Sequence, residues 1–444
     1  MRNWTHNEDL LPLDNSAIIY PPTVARYNTH VFRISMDLTI SVNPERLLTA
    51  LEHVIERFPY FAVSLHKGFY WYYFLPNKAP LKVYPETSSP CGYIHRKRGA
   101  NGYLFKVRYT ERRIVVEYFH ALTDGTGGLV FLKSLVAEYL KLSGHEVGSD
   151  SQIFVPGTKM NPEEQEDSFE RFYKPIKSVF GFMSKAFHMP AHGDLTDDVQ
   201  VISARIAIAD LKRVSASYQV TITEYLVAEL IAALQRIQET TVERQSKYRP
   251  IRISVPVNIR KVFESHSMRN FTLFIVVGID PRLGHYEFDE ILNQIMHQMR
   301  SEVNTKTLSM QVARNVAGRR TPAIRYAPFV FKNPLMKLLS DSYGDGIYST
   351  VISNLGNVSL PPGMQEVVER LDFYLSPSKV NKISWSAIGT NGYLSLNCSS
   401  IFAARTDFER ELLSELVKKG IPVEVSTNRL PSEDGNTFHE EKLR

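Results

Sequence analysis

The sequence predicts a mixed α/β protein built as two domains, and three observations carry that prediction. Its 444 residues exceed one ordinary domain and suffice for two of about 200 each. Along the first third, the pattern runs strand, helix, several strands, helix, which argues for a mixed rather than a purely parallel sheet. A polar, acidic passage from about Ser143 to Asp198 then separates this run from a second series of strands and helices. We expect domains over residues 1–180 and 181–425, followed by a polar tail over 426–444.

Taken in order, Thr29 to Ile40 alternates apolar and polar residues, as a half-buried strand does. Asn43 and Pro44 supply a cap and first turn for a helix. Its apolar stripe is Leu47, Leu48, Leu51, Val54, Ile55 and Phe58, and Pro59 ends it. Gly68 to Leu75 reads as an aromatic-rich strand, and "YLFKVRYTERRIVVEYFH" as a hairpin turning near Glu111 to Arg113. Leu129, Leu132, Leu135, Val136, Tyr139 and Leu140 form one face of the next helix. The second series opens with a strand near Val199 to Ile208. A helix follows from Thr221, where Thr221 and Glu224 match a capping box. "IRISVPVNIR", "FTLFIVVGID", "YSTVISNLG" and "ISWSAI…YLSLNCSSI" read as strands, and "FDEILNQIMHQMR" as a helix. No repeat of 20 to 50 residues is visible.

The composition, 43% hydrophobic and 22% charged, is that of a soluble globular chain. A net charge of +5 is compatible with phosphorylated small molecules and lacks the concentrated basic stripe of a nucleic-acid binder. The one dense basic run, His95 to Arg98, reads first as a solvated loop, with contact to a ligand phosphate as the alternative. Two cysteines, Cys91 and Cys398, exclude a disulfide framework and suit a reducing compartment. There is no signal-peptide pattern and no apolar run of about 18 residues, so the expectation is a cytoplasmic protein without a membrane span.

The chemistry concentrates in "VVEYFHALTDGTGGLVFLKSLVAEYL", Val115 to Leu140. A buried strand stops at His120, a residue whose ordinary pKa makes it the default general base at neutral pH. The end of a strand can hold such a ring in one orientation. Asp124 follows, able either to cap the coming helix or to pair with a cation. Gly125, Gly127 and Gly128 then permit tight turns and close approach of a ligand. His-x-x-x-Asp alone is weak, since about one chance match is expected in a chain with thirteen histidines. The second copy, His285 and Asp289, lies in a polar turn with neither strand before nor glycine after.

Other motifs are rejected on chemical grounds. "GTGGLV" lacks the third glycine of a dinucleotide fingerprint, where Val130 stands instead. No phosphate loop or G-x-S-x-G elbow occurs. His188 and His192 in "HMPAH" have metal-ligand spacing, but Pro190 between them disrupts a helical face, so no metal is expected.

"HALTDGTGG" after a strand resembles the H-x-x-x-D-G signature of the chloramphenicol acetyltransferase-like superfamily, which spans CoA-dependent acyltransferases, plant BAHD acyltransferases and condensation domains. Within it the chain is most similar to bacterial alcohol O-acetyltransferase-type proteins. Four further stretches share the likeness: "LDNSAIIYPPTVARYNTHVFRISMDL", "ALEHVIERFPYFAVSLHKGFYWYYF", "VPVNIRKVF…MRNF" and "ISNLGNVSLP". The D-F-G-W-G motif of the plant branch and the paired histidines common in condensation domains are missing.

The resemblance implies two chloramphenicol acetyltransferase-like mixed-sheet domains with an interdomain tunnel. It implies acyl-CoA as co-substrate with no tightly bound cofactor, and a small-molecule alcohol or amine as acceptor. His120 takes the base position. Asp124 takes the structural position, with Arg260 of "PVNIR" as its candidate partner, an arginine that also reads as an ordinary surface residue after a strand. Gly125 belongs to the same loop. Asn270, Ser353 and Asn354 fall in motifs that line the tunnel in related proteins and are candidates for the oxyanion site. "SNLGN" equally reads as turn chemistry. Trp385 reads as core.

Overall fold

A computed structural model of the chain describes residues 10–94, 100–176, 183–191, 193–328, 331–332 and 344–429. The first half contains β1 (Val31–Leu38), α1 (Pro44–Arg57), β2 (Val83–Pro85), β3 (Phe105–Tyr109), β4 (Arg113–Phe119) and α2 (Gly125–Leu142). Asn43 caps α1, its side-chain oxygen accepting from Arg46 N at 2.9 Å, and Pro44 occupies the first turn. β3 and β4 form the expected hairpin, with Thr110 N donating to Arg113 O. The aromatic run contributes a shorter strand, Tyr72–Pro76, paired with Val63–Lys67 in a separate small sheet.

The second half contains β5 (Leu195–Ala207), α3 (Ile222–Thr241), β6 (Ile251–Asn258), β7 (Thr272–Ile279), α4 (Phe288–Glu302), β8 (Thr350–Asn357), β9 (Val368–Leu375), β10 (Ile383–Thr390), β11 (Tyr393–Phe402), α5 (Asp407–Lys418) and β12 (Glu424–Thr427). Thr221 and Glu224 make the reciprocal capping box at the start of α3. Seven strands form one sheet in the order β7-β6-β8-β10-β11-β5-β12. β8 runs parallel to both β6 and β10, while the other neighbours are antiparallel. The five-stranded sheet of the first half has the order β9-β1-β4-β3-β2, again mixed because β2 and β3 are parallel. Both sheets are therefore mixed, as the element order predicts.

Among the elements that escape the sequence patterns, three bear most on the fold. β9 crosses back from the second half to pair antiparallel with β1. Its "VERLDFYL" sends Leu371 and Phe373 into the first core while Arg370 ion-pairs Asp372 on its own strand, so its charges obscure the strand signal. A helix over Thr305–Arg320 carries Arg and Asn among its apolar residues. Ile208–Ser217 forms a helix between the expected strand near Val199 to Ile208 and the helix from Thr221, where the sequence pattern predicts no element. β1 also departs from the half-buried expectation. Its polar residues Arg33 and Ser35 are buried as fully as Phe32 and Ile34. Arg33 is neutralised by Glu86, and Tyr374 of β9 beside it reaches Ser203 of β5 at 3.1 Å.

Each sheet has its own apolar core. One gathers Leu47, Leu51, Phe58 and Phe131, and the other Leu230, Ile253, Ile275 and Trp385. Trp385 lies edge-on to Phe408, a core residue as expected. A third, smaller cluster of Phe169, Ile259, Phe271, Leu308 and Val312 joins the polar crossover to the start of β7. It anchors the backbone on which the site is built.

Candidate functional site

β4 ends at Phe119, and the next residue, His120, is held from both sides. Its N–H donates to the carbonyl of His30 at 2.8 Å, at the head of the neighbouring strand, where His30 takes a left-handed backbone (φ 51°). The imidazole stacks on Tyr20 with 4.5 Å between ring centres and 22° between planes, and meets Phe32 edge-on at 5.2 Å. Nδ1 lies 3.0 Å from Oδ1 of Asn270. The ring remains half-buried, and no described residue is hydrogen-bonded to Nε2. Loss of water holds its pKa below the ordinary imidazole value, against the opposing pull of hydrogen bonds and of Asp124 and Asp14.

Asp124 performs both roles that the sequence left open. It caps α2, Oδ1 accepting from Thr126 N and Gly127 N. It also forms a two-pronged ion pair with Arg260, at 2.8 Å to Nη1 and 3.0 Å to Nη2. Phe271 N and Thr272 Oγ1 donate to Oδ2, each at 2.9 Å. Burial alone would raise this carboxyl's pKa, but Arg260 and the backbone donors outweigh it and hold the group below the usual range. Arg260 is itself saturated, donating through Nε to Ser267 O at 2.7 Å and through Nη2 to Arg269 O. Every oxygen of Asp124 thus faces protein donors, and the carboxylate is committed to structure.

The glycines act differently from the expectation. None of Gly125, Gly127 or Gly128 has a positive φ, because all three are already in α2, so tight turning is not their purpose. Close approach is, by groups of the protein itself. A Cβ on Gly127 would stand 2.2 Å from both Met268 O and Thr123 Oγ1, which are themselves hydrogen-bonded. On Gly125 it would meet only the mobile end of Leu355.

Of the residues singled out in the sequence, His120, Asp124, Arg260, Gly125 and Asn270 come together here. Ser353 and Asn354 sit on β8, where the Asn354 amide donates to Thr223 Oγ1 and its oxygen accepts from Gly356 N. His285 pairs with Glu239 on the surface, and Asp289 starts α4. His95 to Arg98 and His192 lie outside the described residues. Sequence reasoning missed Asp14, Tyr20 and His30. A carboxylate set inside the apolar "LLPLDNSAII" was the available signal for Asp14.

A cleft of about 830 Å³ opens beside the start of α2, lined by Thr126, Leu129, Gln152, Asn258, Lys261 and Leu355 among others. His120 is not part of its lining. Lys133, wholly buried in α2, donates to Asp150, Gln152 and Ser359 O and so pins one wall.

No family model and no curated protein matches the sequence. Solved structures do match its shape. The chain is similar to TRI101 of Fusarium sporotrichioides complexed with coenzyme A and T-2, at 11% identity and a TM-score of 0.60, covering 94% of this chain and 99% of that one. TRI3 trichothecene 15-O-acetyltransferase of the same organism gives 12% identity and 0.57, covering 94% and 96%. The starter condensation domain of rhizomide synthetase in complex with C8-CoA gives 12% and 0.57, covering 92% and 94%. At these identities the likeness is one of fold, and the chain adopts the chloramphenicol acetyltransferase-like architecture that enzymes and condensation domains share.

Proposed function

We propose that this protein is a CoA-dependent acyltransferase, moving an acetyl or short acyl group from acyl-CoA to the hydroxyl of a small-molecule acceptor, with an amine as the related case. The observation that carries the reading is His120: a half-buried imidazole at a strand end, held at Nδ1, with Nε2 unengaged by described residues. The fold supports it, since TRI3 is by name an O-acetyltransferase and TRI101 was captured with coenzyme A.

In the proposed step Nε2 removes the acceptor's proton as its oxygen attacks the thioester carbonyl. The tetrahedral intermediate collapses with cleavage of the C–S bond, and the leaving thiolate takes the proton back from the imidazolium. Asp124 and Arg260 hold the loop and take no proton. We assign the space between residues 1–180 and 181–425 as the tunnel for donor and acceptor, and Ser353 and Asn354 as candidates for its wall.

Purified protein given acetyl-CoA and a panel of alcohols should release free thiol in proportion to ester. His120→Ala should abolish release while leaving the thermal midpoint unchanged, and a fully active variant would end this assignment. Transfer from an acylated carrier protein and not from acyl-CoA would move the protein to condensation-type chemistry. Thiol release without any acceptor would mark a thioester hydrolase.

A further inference from the structure

The mechanism above uses His120 and leaves unexplained a buried carboxylate behind it. Asp14 is fully buried and belongs to a segment of the chain far from the H-x-x-x-D loop. Its Oδ1 accepts from Ala17 N at 2.7 Å, and its Oδ2 faces Arg269 Nε at 3.6 Å. The same Oδ2 accepts from the amide of Asn270 at 3.2 Å.

Asn270 is therefore engaged on both sides. Its Nδ2 donates to Asp14 Oδ2 and to the carbonyl of His120 at 3.0 Å, and its Oδ1 faces His120 Nδ1 at 3.0 Å. The orientation of this amide follows from chemistry. A carbonyl can only accept, so the group beside it must be the NH₂, and rotating the amide would set oxygen against oxygen twice. The atom facing Nδ1 is then an acceptor, which requires that Nδ1 carry the proton. Nε2 is left with the lone pair.

We propose that Asn270 and Asp14 are positioning residues that fix the His120 tautomer and pass the charge of a buried carboxylate, through one amide, to the ring. Any positive charge that forms on the imidazole is met at Nδ1 by an amide oxygen polarised from behind by Asp14. Tyr20, stacked on the ring, holds its plane. The inference rests on His120 as the base and gives Asn270 a role different from oxyanion binding.

The charged and titratable groups around the ring are Asp124 from its own loop, Asp14 and Tyr20 from the segment before β1, and His30 at the head of β1. Arg260 neutralises Asp124, and Arg269 lies beside Asp14. Of the two carboxylates, Asp14 is the one joined to Nδ1 through the amide.

The test is nitrogen-15 NMR of histidine-labelled full-length protein at neutral pH, with the His120 signals assigned by their loss in His120→Gln. Wild type should show a protonated Nδ1 and an unprotonated Nε2. Asp14→Asn, which keeps an acceptor and removes the charge, should lower the ring's titration midpoint by about one pH unit. Asn270→Leu should convert the single tautomer to a mixture. A wild-type ring protonated on Nε2 overturns the proposal without any variant needing to fold, as does a midpoint unmoved in a folded Asp14→Asn protein. Neither readout uses turnover, so an absence of acyl transfer would count against the proposed function and leave this result standing.

Discussion

Replacing Asp124 by alanine tests how the two halves of the chain are joined. The side chain accepts from Arg260 twice, from the N–H groups of Thr126, Gly127 and Phe271, and from the hydroxyl of Thr272. Arg260 is 7% exposed, so without its carboxylate it stays as a buried positive charge. Its remaining partners, the carbonyls of Ser267 and Arg269 and the oxygen of Asn258, supply hydrogen bonds but no countercharge. Breaking a buried pair from one side costs about 3 to 5 kcal/mol, and losing an N-cap adds about 1. The expected loss is therefore about 4 to 6 kcal/mol, a large share of the stability of most proteins.

Urea unfolding measures it, as a fall in midpoint with an unchanged slope. Asp124→Asn should lose less, because asparagine still caps α2. Removing both partners, as Asp124→Ala with Arg260→Leu, should be milder than the sum of the single changes, since no orphaned charge remains. A loss under about 1 kcal/mol for Asp124→Ala, or strict additivity in the double variant, would refute the reasoning.

Three further outcomes follow from the same geometry. Burial holds the His120 imidazole below its ordinary 6.5, so the acid limb of kcat/KM should have its midpoint below that value and lie flat up to neutrality; a midpoint above about 7 contradicts the site. The Asp124 carboxyl, depressed from 3.8, contributes stability that is complete above the unfolded value and lost as pH falls through the folded one. Acid unfolding of wild type should steepen there, and Asp124→Asn should flatten it. Gly127→Ala should cost about 1 to 3 kcal/mol or more because Met268 O and Thr123 Oγ1 cannot retreat, whereas Gly125→Ala meets only the end of Leu355 and should be nearly neutral by thermal melt.

The sequence by itself determined much of this protein's local structure. Asn43 with Pro44 and Thr221 with Glu224 start helices by hydrogen bonds made within three or four residues, so their signal is complete in the local sequence. The order of strand, His120, Asp124, glycines and helix likewise follows from periodicity and capping, and it located the candidate site. The tertiary structure decided which distant groups complete that site: the family resemblance names Arg260 and Asn270 as candidates, whereas no reading of the sequence names Asp14. Arg260 meets Asp124 across 136 residues, Asn270 meets His120 across 150, and Asp14 reaches Asn270 across 256. No periodicity records such pairs, because they arise only when the second half folds against the first and their charges must be matched in a space without water. β9 was hidden for the same reason. Its Asp372 reads as surface until the other half of the molecule buries it, with Arg370 half-buried beside it.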